Sequence, residues 1–456
     1  MRESPFKAYD IRGRVDDTLT EALMRRTGHA FAAVMARGAP VVIGRDARES
    51  SPRLAAALAE GVCDGGSDVL DIGLCGTEEV YFATDHLRAG GGLMVTASHN
   101  PKGDNGLKLV GAGARPVDRP GGLDRIEALA MGQVDLPRPA AQRGKVRQAE
   151  VRVAYVEKIA SFVAPETLPP VHLMANAGNG AAGPAFDAVL AALTAAGAAL
   201  TVTRLHHTPD PTFPNGIPNP LLPENQPANA DAVRTAGADL GLAWDGDFDR
   251  CFFFDASGGF VDGAYIVGLL AGAILARHPG EAIVHDGRVF LNTRDIVARA
   301  GGRAVAAPTG HALMKAAMRR SNAIYGGEMS AHHYFRDFMF CDSGMIPWLL
   351  ILAEMGRTGR SLAELVAARI AAFPVSGERN FRLADPALAI ARVEAAYAPR
   401  ARARDDGDGL SLEFDTWRFN LRRSNTEALV RLNVEAAGDR TRVEVETAAI
   451  SALLSG

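Results

Sequence analysis

The sequence predicts an α/β protein with three related α/β domains, whose sheets are mixed but largely parallel, and a smaller C-terminal α+β domain. Apolar runs typical of strands alternate with Ala- and Leu-rich helical patterns through most of the chain, and such alternation is characteristic of parallel sheets flanked by helices. After about Phe373, short strand candidates are mixed with helices instead. At roughly 100–200 residues per domain, 456 residues accommodate three or four domains.

The elements follow this pattern in order along the chain. The expected domains are residues 1–145, 146–255, 256–370 and 371–456. Strands are predicted at residues 41–44, 69–73, 92–95, 171–174, 240–244, 282–284, 378–383 and 429–434. Helices are predicted at residues 53–62, 184–196, 293–300 and 312–320. Residues 209–227 contain seven prolines, which disfavour helix and interior strand, so a long loop is expected there.

The amino-acid composition limits the molecules that the protein is expected to bind and the compartment in which it is expected to fold. The net charge of −4 shows no basic bias towards nucleic acid. The four cysteines include no CxxC pair, so a disulfide framework or zinc site is not expected and a reducing, cytoplasmic location fits better. The N-terminus lacks the apolar core of a signal peptide. The most apolar stretch, residues 266–276, is about eleven residues long, too short to span a membrane.

The first candidate site is the loop that contains Ser98, in the sequence Thr-Ala-Ser-His-Asn-Pro after a predicted strand. Serine is a poor nucleophile unless it is activated. No G-x-S-x-G motif surrounds it, which argues against an acyl-transfer hydrolase. A serine on a turn at a strand end can carry a phosphoryl group. Taken alone, the same residues are more often an ordinary polar turn.

The second candidate is the acidic loop Asp245-Gly-Asp247-Phe248-Asp249-Arg250. Three aspartates at i, i+2 and i+4 after a strand can converge on one hard cation, and oxygen ligands favour Mg²⁺. A cation there would neutralise a phosphoryl group during transfer. The alternative is a solvated acidic turn. An EF-hand is excluded, because its glycine and glutamate positions are missing.

Two further polar loops lie later in the chain. Glu328, Ser330 and His332 follow an apolar strand and can bind sugar hydroxyls, although Ser330 could instead cap a helix. Arg422 begins an Arg-Arg-Ser-Asn-Thr run whose guanidinium, hydroxyl and amide groups suit a terminal phosphate. A polar turn between two strands is the alternative there.

The order of these four loops resembles the α-D-phosphohexomutase superfamily, most closely its bacterial phosphomannomutase/phosphoglucomutase group, over essentially the whole chain. The resemblance implies four domains around a large cleft. It also implies a mutase that interconverts hexose 6-phosphate and hexose 1-phosphate, of mannose and glucose, through a phosphoserine enzyme and a bound hexose 1,6-bisphosphate. Its partners would be sugar phosphates, without nucleic acid or membrane, and the chain is expected to be a monomer or weak dimer.

The resemblance also implies roles for individual residues. Ser98 would carry the phosphoryl group and, with Asp245, Asp247 and Asp249, hold Mg²⁺. The residues expected to catalyse or tune the transfer are Ser98, His99, Lys108, His332 and Arg12. The residues expected to bind substrate are Tyr9, Arg250, Arg288, His311, Glu328, Ser330, Arg422, Ser424, Asn425 and Thr426.

Two departures from the group's pattern stand out. Phe248 replaces the glycine common in the metal loop, and metal binding is expected to survive because the neighbouring residues are intact. Arg288 stands where many relatives have lysine. Arginine offers more hydrogen-bond donors in a rigid planar group, so the contact with the ligand is expected to survive with a different affinity.

Three other functions are compatible with parts of the sequence. A phosphatase could use an aspartate of the acidic loop as its nucleophile, but the Ser98 loop would then have no role. A non-catalytic protein could bind sugar phosphates. Phosphoglucosamine mutase is the main alternative within the superfamily, although the run from Glu328 to Arg336 is more similar to mannomutases that supply GDP-mannose and exopolysaccharide pathways.

Overall fold

The computed structural model describes residues 4–423 and 429–456. The chain forms two compact units, the first comprising Met1–Phe260 and His332–Gly359 and the second Val261–Ala331 and Arg360–Gly456. No helix in the described part of the chain is long and apolar enough to cross a membrane.

The first sheet of the first unit is mixed. Its strands are β1 (Asp10–Arg14), β2 (Val41–Arg45), β3 (Val69–Leu74), β4 (Gly91–Val95), β5 (Asp104–Gly111), β6 (Arg115–Pro116) and β7 (Val146–Gln148), in the order β1-β5-β4-β2-β3-β7 with β6 beside β5. Strand β2 is parallel to β3 and β4, whereas β5 is antiparallel to β1 and β4. Its helices are α1 (Glu21–Phe31), α2 (Ser51–Asp64), α3 (Thr77–His86) and α4 (Asp124–Ala130).

The apolar faces of these elements form one core. Phe31 and Leu54 from two of the helices pack into the same buried cluster as Leu93 and Leu107 from adjacent strands. Burial of such side chains contributes about 1.5–3 kcal/mol each. This core fixes the carboxyl end of β4, from which the Ser98 loop departs.

A second sheet of the same unit contains β8 (Val171–Asn176), β9 (Leu200–Leu205), β10 (Leu240–Trp244), β11 (Cys251–Asp255) and β12 (Phe260–Val261), in the order β12-β11-β10-β8-β9. Its helices are α5 (Arg152–Ala160), α6 (Ala182–Ala195) and α7 (Gln226–Ala236). The acidic loop connects β10 to the antiparallel strand β11. The expected proline-rich loop ends earlier than predicted, because Pro227 lies in the first turn of α7, where a missing N–H costs no hydrogen bond.

The second unit begins with α8 (Gly263–Arg277), β13 (Ala282–Asp286), α9 (Leu291–Arg299), β14 (Arg303–Ala307), α10 (His311–Ser321) and β15 (Tyr325–Gly327). Strand β13 is parallel to both β14 and β15. The chain then contributes β16 (His333–Phe335), β17 (Cys341–Asp342) and α11 (Ile346–Thr358) to the first unit. The alternative in which Ser330 caps a helix is wrong, because a turn and strand β16 follow it.

The final part of the second unit contains α12 (Leu362–Ala372), β18 (Arg379–Phe381), α13 (Pro386–Tyr397), β19 (Ala403–Asp405), β20 (Leu410–Glu413), β21 (Trp417–Arg423), β22 (Val430–Ala436) and α14 (Arg440–Ser455). Its strands form an antiparallel sheet in the order β18-β22-β21-β20-β19. The predicted α/β fold with a C-terminal α+β part is therefore confirmed.

Candidate functional site

Ser98 lies in a loop that begins just after β4, and its backbone is in the left-handed region at φ +50°. Its N–H donates to Thr96 Oγ1 over 2.9 Å, and its Oγ donates to Asp245 Oδ2 over 2.6 Å. Gly246 permits this approach, because a Cβ there would lie 2.6 Å from the carbonyl oxygen of Ser98. A left-handed serine is uncommon, and such strain is frequent at functional sites.

The acidic loop brings its three aspartates together, as the sequence predicts. Asp245, Asp247 and Asp249 are buried, and each offers an oxygen within 4.8 Å of the others. Oδ1 of Asp247 and Oδ1 of Asp249 have no hydrogen-bond partner among the described residues. Buried carboxylate oxygens are normally satisfied, so this set of donors fits a hard divalent cation such as Mg²⁺.

Lys108 on β5 supplies a fixed positive charge to the same loop. Its Nζ donates to Asp247 Oδ2 over 2.8 Å and to Asp249 Oδ2. Burial acts against ionisation of Asp247, but the charge of Lys108 and hydrogen bonds from Lys108 and Thr77 lower the pKa of Asp247 below its usual range. Burial and the charge of Asp247 raise the pKa of Asp249. Despite burial, the two carboxylates raise the pKa of Lys108, which stays protonated.

Arg250 ends the acidic loop and faces Ser98. Its Nη2 donates to Asp245 Oδ2 over 2.6 Å and lies 3.3 Å from Ser98 Oγ. The same Nη2 contacts His99 Nδ1, and because arginine can only donate, Nδ1 of His99 must be the acceptor. Burial and the charge of Arg250 lower the pKa of His99, so its ring is neutral.

His332 reaches the acidic loop from the hairpin of β16 and β17. Its backbone forms an antiparallel bridge with Arg250, and its Nε2 lies 3.8 Å from Asp249 Oδ1. Asp342 completes a second group of potential metal ligands with these two side chains. The structure thus places the predicted His332 beside the metal-binding candidates.

The two predicted residues near the N-terminus lie at the start of the first sheet. Arg12 on β1 donates to Asp10 Oδ2 over 2.7 Å and to Asn100 Oδ1 over 2.6 Å, which ties β1 to the Ser98 loop. Tyr9 is half-buried immediately before β1.

Phe248, the departure in the acidic loop, also has a left-handed backbone, at φ +44°. Its ring is fully buried against Gly76, where a Cβ would lie 2.2 Å from Phe248 Cε1. The neighbouring Thr77 donates its N–H to the carbonyl of Asp247 over 3.0 Å and its hydroxyl to Asp247 Oδ2 over 2.6 Å. Residues 76–77 therefore fix both the backbone and one carboxylate of the acidic loop.

Sequence reasoning missed Arg48. This buried side chain donates to four backbone carbonyls around Ser98, those of Ser98 (2.9 Å), Asn100 (2.7 Å), Pro101 (3.0 Å) and Asp104 (3.1 Å). Asp46 lies 3.3 Å from its guanidinium. The only signal in the sequence is an Asp-x-Arg triplet after β2, which is too common to interpret alone.

In the second unit, Arg288 is held by an aspartate that sequence reasoning also missed. Asp286 Oδ2 accepts from Arg288 Nε over 3.1 Å and from its Nη2 over 2.6 Å, and it also accepts the N–H of Met329 over 2.9 Å. Arg288 Nη2 in turn donates to Ser330 Oγ over 3.2 Å and lies 3.6 Å from Glu328 Oε1. The structure therefore brings Arg288, Glu328 and Ser330 together.

His311 belongs to the same region. It begins α10, and the preceding Gly310 donates its N–H to Glu328 Oε1 over 3.1 Å. Arg422, at the end of β21, is buried, whereas the predicted Ser424, Asn425 and Thr426 lie outside the described residues.

The family comparisons cover nearly the whole chain. Residues 3–132, 153–258 and 262–373 match the alpha/beta/alpha domains I, II and III of phosphoglucomutase/phosphomannomutase, and residues 378–452 match its C-terminal domain. A phosphomannomutase from Salmonella montevideo is 54% identical over 450 residues, 99% of this chain and 98% of that protein. A phosphomannomutase from Escherichia coli K12 is 51% identical over 450 residues, with the same coverage.

A solved structure gives the same result. The phosphoglucomutase/phosphomannomutase family protein of Burkholderia thailandensis superimposes with a TM-score of 0.86 at 30% identity, covering 99% of this chain and 97% of that one. The resemblance inferred from the order of the four loops is confirmed by these matches. The chain is a member of the phosphoglucomutase/phosphomannomutase family of the α-D-phosphohexomutase superfamily.

Proposed function

We propose that this mutase interconverts hexose 1-phosphate and hexose 6-phosphate with Ser98 as the phosphoryl carrier. The observation that carries the proposal is the 2.6 Å hydrogen bond from Ser98 Oγ to Asp245 Oδ2, with Arg250 Nη2 at 3.3 Å from the same Oγ. A phosphoryl group on that oxygen would meet a fixed guanidinium and three carboxylates suited to a cation. Such preorganised charges stabilise phosphoryl transfer.

Asp245, Asp247 and Asp249 would hold Mg²⁺ together with an oxygen of phosphorylated Ser98. When bound there, Mg²⁺ would neutralise charge on the phosphoryl group. Lys108 keeps the acidic loop compact in the absence of the ion, because it bonds two of the three carboxylates. Arg250 orients Ser98 Oγ through their shared contact with Asp245.

The proton of the attacking sugar hydroxyl needs an acceptor. Lys108 is held protonated by its two carboxylates, and His99 already uses Nδ1 as an acceptor from Arg250. His332 remains the better candidate for the base, since Asp249 at 3.8 Å would stabilise its protonated form. Arg12 would position the loop through Asn100.

The second unit would bind the part of the substrate that does not react. Glu328 and Ser330 offer acceptors and donors for sugar hydroxyls, and Arg288 and Arg422 offer guanidinium groups for the phosphate that is not transferred. Tyr9 and His311 would make further ligand contacts. A hexose 1,6-bisphosphate would present its two phosphates in turn to Ser98. The groups that bind the phosphate that is not transferred must therefore accept the phosphate from either end of the sugar.

Mannose and glucose phosphates are the proposed substrates. The two sugars differ only at C2, and a loop that reads other hydroxyls would accept both. The relatives named as phosphomannomutases support mannose 1-phosphate as one substrate, in keeping with a cytoplasmic role in supplying GDP-mannose and exopolysaccharide synthesis. The comparisons favour this group over phosphoglucosamine mutase and over an aspartate-nucleophile phosphatase.

A labelled-phosphate trap tests the proposal. Glucose 1,6-bisphosphate carrying ³²P should transfer acid-stable label to Ser98 of the wild-type chain and none to S98A. S98A should also lose nearly all mutase turnover, whereas S161A, which removes an exposed hydroxyl in the same unit, should keep it. Wild-type turnover by S98A, or label that hydroxylamine removes, would refute the phosphoserine assignment.

A further inference from the structure

Glu78 lies in the first turn of α3, and its carboxyl group is fully buried. Its Oε1 accepts hydrogen bonds from Tyr155 Oη on α5 over 2.5 Å and from Ser343 Oγ over 2.9 Å. Its Oε2 accepts the N–H groups of Gly344 over 2.5 Å and of Met345 over 3.3 Å. A buried carboxyl group destabilises a fold unless its hydrogen bonds are made, and here four donors from two other parts of the chain converge on it.

Gly344, one of these donors, packs directly against the acidic loop. Its carbonyl accepts the indole N–H of Trp244, the last residue of β10, over 2.9 Å. A Cβ at position 344 would lie 2.3 Å from the carbonyl oxygen of Phe248 and 3.1 Å from the carbonyl carbon of Arg250. Only a residue without a Cβ permits such a close approach of two backbones. The backbone of Gly344 therefore contacts residues on both sides of the three aspartates.

The start of α3 contacts the same loop from another part of the chain. Thr77, the residue before Glu78, donates both its N–H and its hydroxyl to Asp247. The acidic loop therefore packs against two supports, the start of α3 and residues 343–345, which are far apart in the sequence. Glu78 joins these supports, because its backbone belongs to the first and its carboxyl group bonds the second.

We propose that Glu78 is a positioning residue for phosphoryl transfer. By joining the two supports, it holds the carboxylates of the acidic loop and Arg250 in the arrangement that faces Ser98. The four hydrogen bonds of Glu78 reach none of the residues proposed to bind metal or substrate, so it acts through Thr77 and Gly344. A displacement of about 1 Å in a reacting group can lower a rate about 100-fold. This inference rests on the proposed function for the roles of the loop residues.

Hydrogen exchange of the full-length protein in EDTA tests the support of the loop without metal or turnover. E78M keeps a side chain of similar length but offers no carboxyl oxygen to the four donors. Residues 245–250 should exchange about ten-fold or more faster in E78M than in the wild type, because buried donors are left unsatisfied. Strand β2 in the neighbouring sheet should change by a smaller factor. E78Q keeps one carbonyl oxygen and should give an intermediate exchange rate for residues 245–250.

Two further variants separate local support from general stability. I126A creates a cavity in the core of the first sheet, so β2 should exchange faster by at least as large a factor as residues 245–250. Y155F removes only the hydroxyl that bonds Glu78, so it should accelerate exchange of residues 245–250 less than E78M does, and it serves where E78M fails to fold. The inference is overturned if residues 245–250 change no more than β2 in E78M, or in Y155F where E78M does not fold.

Mutase activity separates this inference from the proposed function. In E78M, kcat should fall about ten-fold or more and half-maximal activity should need more Mg²⁺, because the loop is misplaced. The KM for glucose 1-phosphate should stay close to the wild-type value, and E78Q should recover part of kcat. Wild-type kcat in E78M would overturn the inference. A wild-type chain without mutase turnover would refute the proposed function and leave hydrogen exchange to decide whether Glu78 supports the acidic loop.

Discussion

Lys108 donates a hydrogen bond from Nζ to Oδ2 of Asp247 over 2.8 Å, and both side chains are buried. The same ammonium contacts Asp249. A cation supplied by the chain therefore lies against two of the three carboxylates proposed to hold Mg²⁺. The acidic loop can fold before it meets a metal, and a metal that binds there, as proposed above, would meet carboxylates whose charge is already partly offset.

Replacing Lys108 by glutamine should destabilise the metal-free protein, because buried carboxylates lose their cation. Removal of one partner of a buried ion pair costs about 3–5 kcal/mol. Added Mg²⁺ should restore more stability to K108Q than to the wild type. Thermal unfolding across a Mg²⁺ titration checks this, with K102Q, an exposed lysine bonded to a backbone carbonyl, as the control. Equal Mg²⁺ responses of K108Q and wild type would contradict the assignment.

Replacing Asp247 by asparagine should weaken activation by Mg²⁺ and lower kcat by about 100-fold or more, a loss typical of removing one electrostatic group from a transition state. The measurement is mutase turnover as a function of Mg²⁺ concentration. D231N, which alters an exposed carboxylate of the same unit, should behave like the wild type. A metal dependence in D247N equal to that of the wild type would count against the acidic loop as the metal site.

Replacing Arg48 by methionine should loosen the Ser98 loop, since four carbonyls lose a donor and Asp46 loses its charged partner. We expect about 3–5 kcal/mol less stability. Hydrogen exchange of residues 98–104 should accelerate more than that of the sheet, and phosphorylation of Ser98 should slow. R53Q, which removes a half-buried arginine that lies in the first turn of α2 and bonds Asp16, is the control. Unaltered exchange in residues 98–104 of R48M would show that Arg48 does not order the loop.

His285 should make the protein sensitive to acid. Burial lowers its pKa from 6.5 to about 4. Its Nδ1 donates to the carbonyl of Asp286, and its Nε2 accepts from Arg294 Nε, so one ring nitrogen carries a proton, the other does not, and the ring is neutral. The unfolded chain binds a proton below pH 6.5 whereas the native state does not, so stability falls as pH drops from 6.5 to about 4. The loss amounts to about 3 kcal/mol.

The measurement is the free energy of unfolding from pH 7 to pH 4. H285Q should lose about 3 kcal/mol less than the wild type over this range. H278Q, which replaces an exposed histidine, should follow the wild type. Parallel curves for the wild type and H285Q would contradict the assignment.

The sequence could supply candidate site residues where polar side chains are concentrated in short loops. Ser98 and the three aspartates lie in two compact motifs, and the alternation of strands and helices predicts that such loops leave strand ends. Arg48 and Asp286 could not be found in this way. Each is a single charged residue in an unremarkable segment, and its role depends on contacts with residues distant in the sequence, such as the four backbone carbonyls around Ser98 that accept from Arg48.

Phe248 is a residue that the sequence singles out but cannot explain. The sequence marks it as a departure from the family's glycine, but only the structure shows that Gly76 leaves the space its ring fills. A lineage must therefore lack a side chain at position 76 before it can accept phenylalanine at 248. Once the ring is in place, position 76 can no longer vary by itself, whereas position 248 can still return to a smaller residue.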